Sequence, residues 1–285
     1  MNQKQLLSTK TGIEVIGLNK YNLLRSLPQE QLTDEQKEQI RRYEEKGVDI
    51  EKANKALQTY EKKLREPIYQ KEIKVSKKQI LGGFWAVYEQ MNGRKFEENE
   101  KTLQNLKVLI TYFAKDELFF KCENVHKISK PSLDKGLLII GGYGNGKTST
   151  MKAFEKLLFG IPGYSFKTYS ANEVVVDFEK CTGQYQEELR ADFERRMFKQ
   201  RIYFDDVKTE RIASNYGKVN IFKEILEERS LHKTKTFMSC NFKEGFEGNI
   251  EKAIEEFGEK YGGRIYDRIF EMFNVVHFKG GSFRK

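Results

Sequence analysis

The residues best suited to chemistry are Gly141-Gly142-Tyr143-Gly144-Asn145-Gly146-Lys147-Thr148, followed by Ser149. Their spacing is G-x-x-x-x-G-K-[ST]. Glycines there let the backbone turn tightly, so that successive N–H groups point inward around a phosphate chain. A helix opening near Lys147 adds the positive end of its dipole. The Lys147 ammonium then reaches the β- and γ-phosphates, and the Thr148 hydroxyl joins a Mg²⁺ shell. Residues 141–149 thus form a candidate ATP-binding loop with Mg²⁺ as the cofactor.

Such a loop needs a partner that holds the metal and activates water. Arg201-Ile202-Tyr203-Phe204-Asp205-Asp206 is an apolar strand ending in two carboxylates. Asp205 is expected to organise Mg²⁺, and Asp206 to face the γ-phosphate and polarise the attacking water. Many ATPases carry Glu at the second position. The shorter Asp implies slow hydrolysis or a differently placed water. A further strand, Thr236–Ser239, runs into Cys240-Asn241, whose amide can hold the water or the γ-phosphate. Arg264 and Arg268 are four apart and share one helix face, from which a guanidinium could be presented to a neighbouring subunit's phosphate.

These residues need a scaffold, and the pattern after Pro131 supplies one. Short apolar strands at 137–140, 165–170, 200–204 and 236–239 alternate with helices at 148–158, 171–181 and 219–232. That alternation predicts an α/β fold with a parallel sheet flanked by helices. The expected ATPase domain is 131–285. Residues 1–130 read differently, as a charged helical region suited to docking a partner. Thr33-Asp34-Glu35-Gln36 predicts a capping box and a helix running to Gly47. Further helices are expected from Asp49 to the residue before Pro67, from Lys77 to Met91 with Phe84, Val87, Tyr88 and Met91 on one face, and from about Glu98 to Ala114 with Leu103, Leu106, Leu109, Ile110 and Phe113.

Composition narrows the classes. The chain has 285 residues, 33% of them charged and 38% hydrophobic, and no run long enough to span a membrane. The N-terminus lacks a signal-peptide pattern. Three scattered cysteines and three lone histidines make neither a disulfide framework nor a zinc site, which fits a reducing cytoplasm. The net charge of +9 permits a nucleic-acid partner without requiring one, since lysines and glutamates are mixed along the same helices.

In the order of its motifs, residues 130–285 resemble AAA+ ATPases of the DnaC/IstB type, the helicase loaders and transposition helpers. Asn215-Tyr216-Gly217-Lys218-Val219-Asn220 and Ile225–Arg229 look like that family's loop and helix after the second motif. Ser239-Cys240-Asn241 looks like its T-S-N sensor 1, and Arg264-x-x-Asp267-Arg268-Ile269 like its arginine-finger box. Gly281-Ser282-Phe283-Arg284 looks like its terminal G-x-S-[YF]-R, whose arginine acts as sensor 2. The resemblance implies an AAA+ P-loop core that assembles as a ring or spiral homo-oligomer with ATP at subunit junctions. It also implies a replicative helicase as partner and contact with DNA, single-stranded DNA being favoured. Two other readings stay open: a transposition helper that binds duplex DNA, and a nucleotide-switched scaffold with little turnover. A small-molecule kinase would leave Asn241 and the arginine box unexplained.

Overall fold

A computed structural model describes residues 16–46, 55, 73–183, 185–215 and 217–284. The chain forms two compact units, Met1–Lys71 and Glu72–Lys285. In the first unit, helices α1 (Leu18–Arg25) and α2 (Asp34–Glu44) bury Ile16, Tyr21, Leu24, Leu32, Ile40 and Tyr43 together. The capping box forms as the spacing predicts, with the Gln36 N–H donating to Thr33 Oγ1 and Thr33 N–H to Gln36 Oε1. The helix expected from Asp49 to Pro67 lies outside the described residues, apart from Lys55.

The second unit is built on a five-stranded parallel sheet. Its strands are β1 (Gly136–Gly141), β2 (Lys167–Ser170), β3 (Ile202–Asp205), β6 (Thr236–Cys240) and β7 (Phe273–Phe278), in the order β2-β3-β6-β1-β7. A separate antiparallel pair joins β4 (Ala213–Ser214) and β5 (Lys218–Val219). Side chains alternate along each strand. Leu138, Ile140, Phe204 and Met238 therefore enter one core, and Leu137, Ile139, Tyr203 and Phe237 the other.

The first of these faces is covered by α6 (Ala171–Glu179), α7 (Gln186–Glu194), α8 (Ile221–Leu231), α9 (Ile250–Tyr261) and α10 (Gly263–Met272). The opposite face is covered by α3 (Lys77–Asn92), α4 (Glu100–Phe113) and α5 (Lys147–Leu157). Ile80, Phe84 and Tyr88 of α3 and Leu106, Leu109 and Phe113 of α4 are buried there. Each full burial of such a side chain is worth roughly 1.5–3 kcal/mol. The compact units thus part between Lys71 and Glu72, not at the composition shift near Pro131. Helices α3 and α4 pack on the sheet with α5 instead of standing in a separate helical region.

Two positions of the expected stripes are corrected. Met91 is 39% exposed and Leu103 is 41% exposed. The buried line of α3 runs through Ile80, Phe84 and Tyr88 at a spacing of four, and Met91 lies beyond it in the last turn. Leu103 sits in the first turn of α4, ahead of the buried set that begins in force at Asn105.

Candidate functional site

Parallel strands put their carboxyl ends at one edge of the sheet, where ligands of open α/β sheets bind. The registers pair Ile140 with Cys240, Gly141 with Phe278 and Ser170 with Asp205. The loop after β1, the acids ending β3, Asn241 after β6 and the segment after β7 therefore meet at this edge. Because β6 lies between β1 and β3, Asn241 falls between the loop and the acids.

Gly144 and Gly146 have φ of +70° and +90°, the left-handed region that favours glycine. The end of the chain grips the loop. Phe283 N–H donates to Gly144 O at 3.0 Å, and Asn145 Nδ2 donates to Phe278 O at 2.8 Å. A Cβ on Gly144 would stand 2.3 Å from Ser282 Oγ, so the tail seals that side of the turn. Ser149 Oγ donates to Gly146 O, holding the first helical turn. Tyr143, at the tip, is 73% exposed.

Lys147 is buried, and its ammonium donates to four oxygens: Gly141 O at 3.0 Å, Gly142 O at 2.8 Å, Asn145 Oδ1 at 3.3 Å and Asn241 Oδ1 at 3.0 Å. Burial pulls its pKa down to about 8, and the nearby acids Asp206 and Asp205 work against that shift. Asn241 is the bridge of the site, since its Nδ2 also donates to Asp206 Oδ1 at 2.9 Å.

Asp205 Oδ1 accepts three hydroxyls: Ser239 at 2.6 Å, Tyr203 at 2.7 Å and Thr148 at 3.1 Å. That leaves Oδ2 without a protein donor among the described residues. A hydroxyl and a carboxylate side by side are hard oxygen donors of the kind Mg²⁺ takes, so Thr148 and Asp205 fit that ion. Asp206 has φ +57°, and its N–H donates to Ser239 Oγ at 3.1 Å. Burial raises its carboxyl pKa first and the Asp205 charge second, against the fields of Lys147 and Arg284 and the Asn241 hydrogen bond.

A cavity of about 500 Å³ opens over these groups. Tyr143, Gly144, Asn145, Gly146, Lys147, Thr148, Ser149, Asp205, Asp206, Asn241 and Arg284 all line it. Gly141 and Gly142 do not, and contribute only the carbonyls that hold Lys147. A second cavity, of about 280 Å³, adjoins it beside Asn145 and Gly146, with Tyr88, Phe96 and Phe283 among its walls. Arg264 and Arg268 are not brought to this cleft. Both lie on α10, where Arg264 is exposed and Arg268 Nη1 donates to Ser230 Oγ of α8 at 2.5 Å.

Several residues of the site escape sequence reasoning. Tyr203 stands two positions before Asp205 on a strand and so shares its face, a signal the sequence does contain. Ser239 grips both acids, although its strand points only to Asn241 as the polar end. Arg94 and Lys152 also line the larger cavity. No motif marks them.

No family model matches the chain, and no curated protein matches it. Among solved structures it is similar to a crystal structure of the DnaC helicase loader, with 15% identity, 69% of this chain and 98% of that chain covered, and a TM-score of 0.47. It is similar to a putative primosome component from Streptococcus pyogenes serotype M3, with 16% identity, coverage of 66% and 84%, and a TM-score of 0.42. AMPPCP-bound DnaA from Aquifex aeolicus is a further neighbour, with 18% identity, coverage of 65% and 48%, and a TM-score of 0.40. Likenesses at that level assign neither activity nor partner. The fold, an α/β P-loop core with helices on both faces of a parallel sheet, rests on the sheet order and the glycine loop. No helix among the described residues is long and apolar enough to cross a membrane.

Proposed function

We propose that this chain is a Mg²⁺-dependent ATPase that acts in DNA replication as a loader of a replicative helicase. The observation that carries the ATPase reading is the continuous hydrogen-bonded chain Lys147–Asn241–Asp206 beside Asp205, beneath one cavity. In this reading the N–H groups of 144–149 cradle the triphosphate, and the Lys147 ammonium turns from its carbonyls to the phosphate oxygens. Thr148 and Asp205 would hold Mg²⁺, which would supply positive charge against the phosphates when bound. Asp206 orients the attacking water and accepts its proton, and Asn241 fixes that carboxylate. Arg284 meets the phosphates from the tail. The neighbouring cavity with Phe96 and Phe283 takes the base.

Arg268, with Arg264 beside it, completes the site of an adjacent subunit in a ring or spiral. This is consistent with their position on α10, away from the chain's own cleft. The replication role is supported by the sequence resemblance of the arginine box and of the 281–284 tail, and the basic net charge suits a DNA partner.

The test is ATP turnover without DNA, with single-stranded DNA and with duplex DNA, across protein concentration. Stimulation by single strands and a rise in turnover per subunit with concentration are the expected results. Turnover indifferent to DNA, with no helicase recovered by pull-down, would remove the loader reading. Stimulation by duplex alone would favour a transposition helper. The geometry of Asp206 also favours a slow enzyme: its short side chain is held by Asn241, so a switch-like subunit with tight binding and little turnover is the second reading.

A further inference from the structure

We propose that Arg94 binds the triphosphate of the nucleotide, from a turn that lies outside the loop and strand-end motifs. The inference rests on the ATP reading above and adds a residue to it. Arg94 lines both the 500 Å³ cavity over the phosphate loop and the 280 Å³ cavity beside it. It stands where a nucleotide spanning the two would pass.

Its backbone is held on both sides. Gly93, at φ +64°, ends α3 in the left-handed conformation and turns the chain back over the loop. Before the turn, Phe84 packs on Phe154 of α5 with ring centroids 5.4 Å apart, and Tyr88 OH donates to Ser149 Oγ at 3.4 Å. After it, Phe96 packs edge-on to Phe84, Trp85 and Tyr88 at 5.0–5.6 Å. The turn is thus fixed to the helix that the phosphate loop opens.

The side chain, in contrast, is uncommitted. Arg94 makes no hydrogen bond or ion pair with any of the described residues, although Glu97, Glu98 and Glu100 follow closely in sequence. A guanidinium presented by a rigid turn into a cavity and left without an acid suits an incoming anion, and phosphate takes it in bidentate fashion. The charge balance agrees. Arg94, Lys147, Lys152 and Arg284 face Asp205 and Asp206 around the larger cavity, an excess of two positive charges. A magnesium–nucleoside triphosphate complex is a dianion, and without Arg94 the balance would fall short.

Calorimetric titration of the full chain with ATP and Mg²⁺ tests the assignment. Arg94→Ala is expected to weaken ATP binding about tenfold, as loss of one charge-assisted contact does, and Arg94→Lys about threefold. The melting temperature of the nucleotide-free protein should not move, because Arg94 has no protein partner to lose. An Arg94→Ala dissociation constant within about twofold of wild type, while Lys147→Ala weakens binding on the order of a hundredfold, would overturn the proposal. So would a fall in nucleotide-free melting temperature that accounts for the loss. If the wild-type chain itself fails to bind ATP, the ATP reading falls and takes this residue's role with it.

Discussion

The sheet buries a cation at each of its two ends. At the carboxyl end the Lys147 ammonium rests on four oxygens. At the amino end, Arg229 of α8 is fully buried. It donates to Thr236 Oγ1 at 2.7 Å, to Gln200 O at 2.8 Å, to Lys235 O at 3.2 Å and to Met197 O, and lies over the Phe204 ring. Both cations are depressed in pKa by burial, and both are satisfied mainly by carbonyls. What separates them is what lies beyond. Lys147 borders an open cavity and has Asp205 and Asp206 within reach of its charge. Arg229 has no carboxylate among its hydrogen-bond partners, and no cavity described above reaches it. The same device is therefore a ligand site at one end and a tie between β3, β6 and the π-helical segment Arg195–Lys199 with Gln200 at the other.

The largest effect should come from breaking the structural cation. Arg229→Ala leaves three carbonyls unpaired and a hole under β6, for a loss of about 3–5 kcal/mol in urea unfolding. Arg229→Met fills the volume and removes the buried charge, so its loss should be smaller, about 1–3 kcal/mol. A methionine variant as stable as wild type would deny that the carbonyls need this donor. Lys147→Ala should do the reverse. ATP affinity should fall on the order of a hundredfold, since a direct charged contact to two phosphates is lost. Nucleotide-free stability should fall by only about 1–2 kcal/mol, because two of the four released oxygens, on Asn145 and Asn241, border the cavity, while the carbonyls of Gly141 and Gly142 lose a buried donor. If Lys147→Ala unfolded the chain, the two ends would not differ in kind.

How far this contrast could be read in advance depends on whether a residue's setting is local. Lys147, Asp205 and Asn241 each follow a short apolar run, and any parallel sheet brings such positions to one edge. Their convergence was legible for that reason. Arg229 sits in Glu227-Glu228-Arg229, which reads as a solvated helix face. Its burial follows from the long-range packing of α8 against the π-helical segment before β3. Helices α3 and α4 showed their apolar stripes, yet a stripe does not say which surface will cover it. Here it is the sheet, through Phe84, Leu109 and Phe113, so residues 72–130 belong to the unit of the sheet. Strand β7 is last in sequence but pairs with β1, a registration that no local pattern encodes.

The acid beside Lys147 sharpens the contrast through pH. Asp206→Asn should cut turnover on the order of a hundredfold or more while leaving ATP affinity nearly unchanged. Unchanged turnover would instead support the switched-scaffold reading. The same variant has a stability signature in metal-free, nucleotide-free buffer. The Asp206 pKa is raised in the folded chain, so the fold prefers the protonated acid, and ionisation at neutral pH costs stability. The asparagine variant should therefore melt higher than wild type at neutral pH. That gap should close as pH falls below the unfolded aspartate value of about 3.9. A gap that persisted in acid would mean that the asparagine acts by packing and not by removing charge.

The smallest effect should fall on Ser239, which binds both acids at the buried floor of the larger cavity. Its hydroxyl donates to Asp205 Oδ1 at 2.6 Å and accepts from Asp206 N–H at 3.1 Å. Ser239→Ala leaves Asp205 Oδ1 with Tyr203 and Thr148, so the carboxylate stays in place with more freedom to turn. It also frees the backbone N–H of Asp206, at a residue already held at positive φ. The bond lost at Asp205 is charge-assisted and the one lost at Asp206 is neutral, but the Asp205 carboxylate keeps two other hydroxyls, so the net loss at the metal is about 1 kcal/mol and the Mg²⁺ needed for half-maximal turnover should rise roughly fivefold. ATP affinity measured without metal should stay level, because Lys147 and the loop are untouched. A loss in both would place Ser239 with the structural ties, like Arg229, and a loss confined to Mg²⁺ would place it with the ligand end of the sheet.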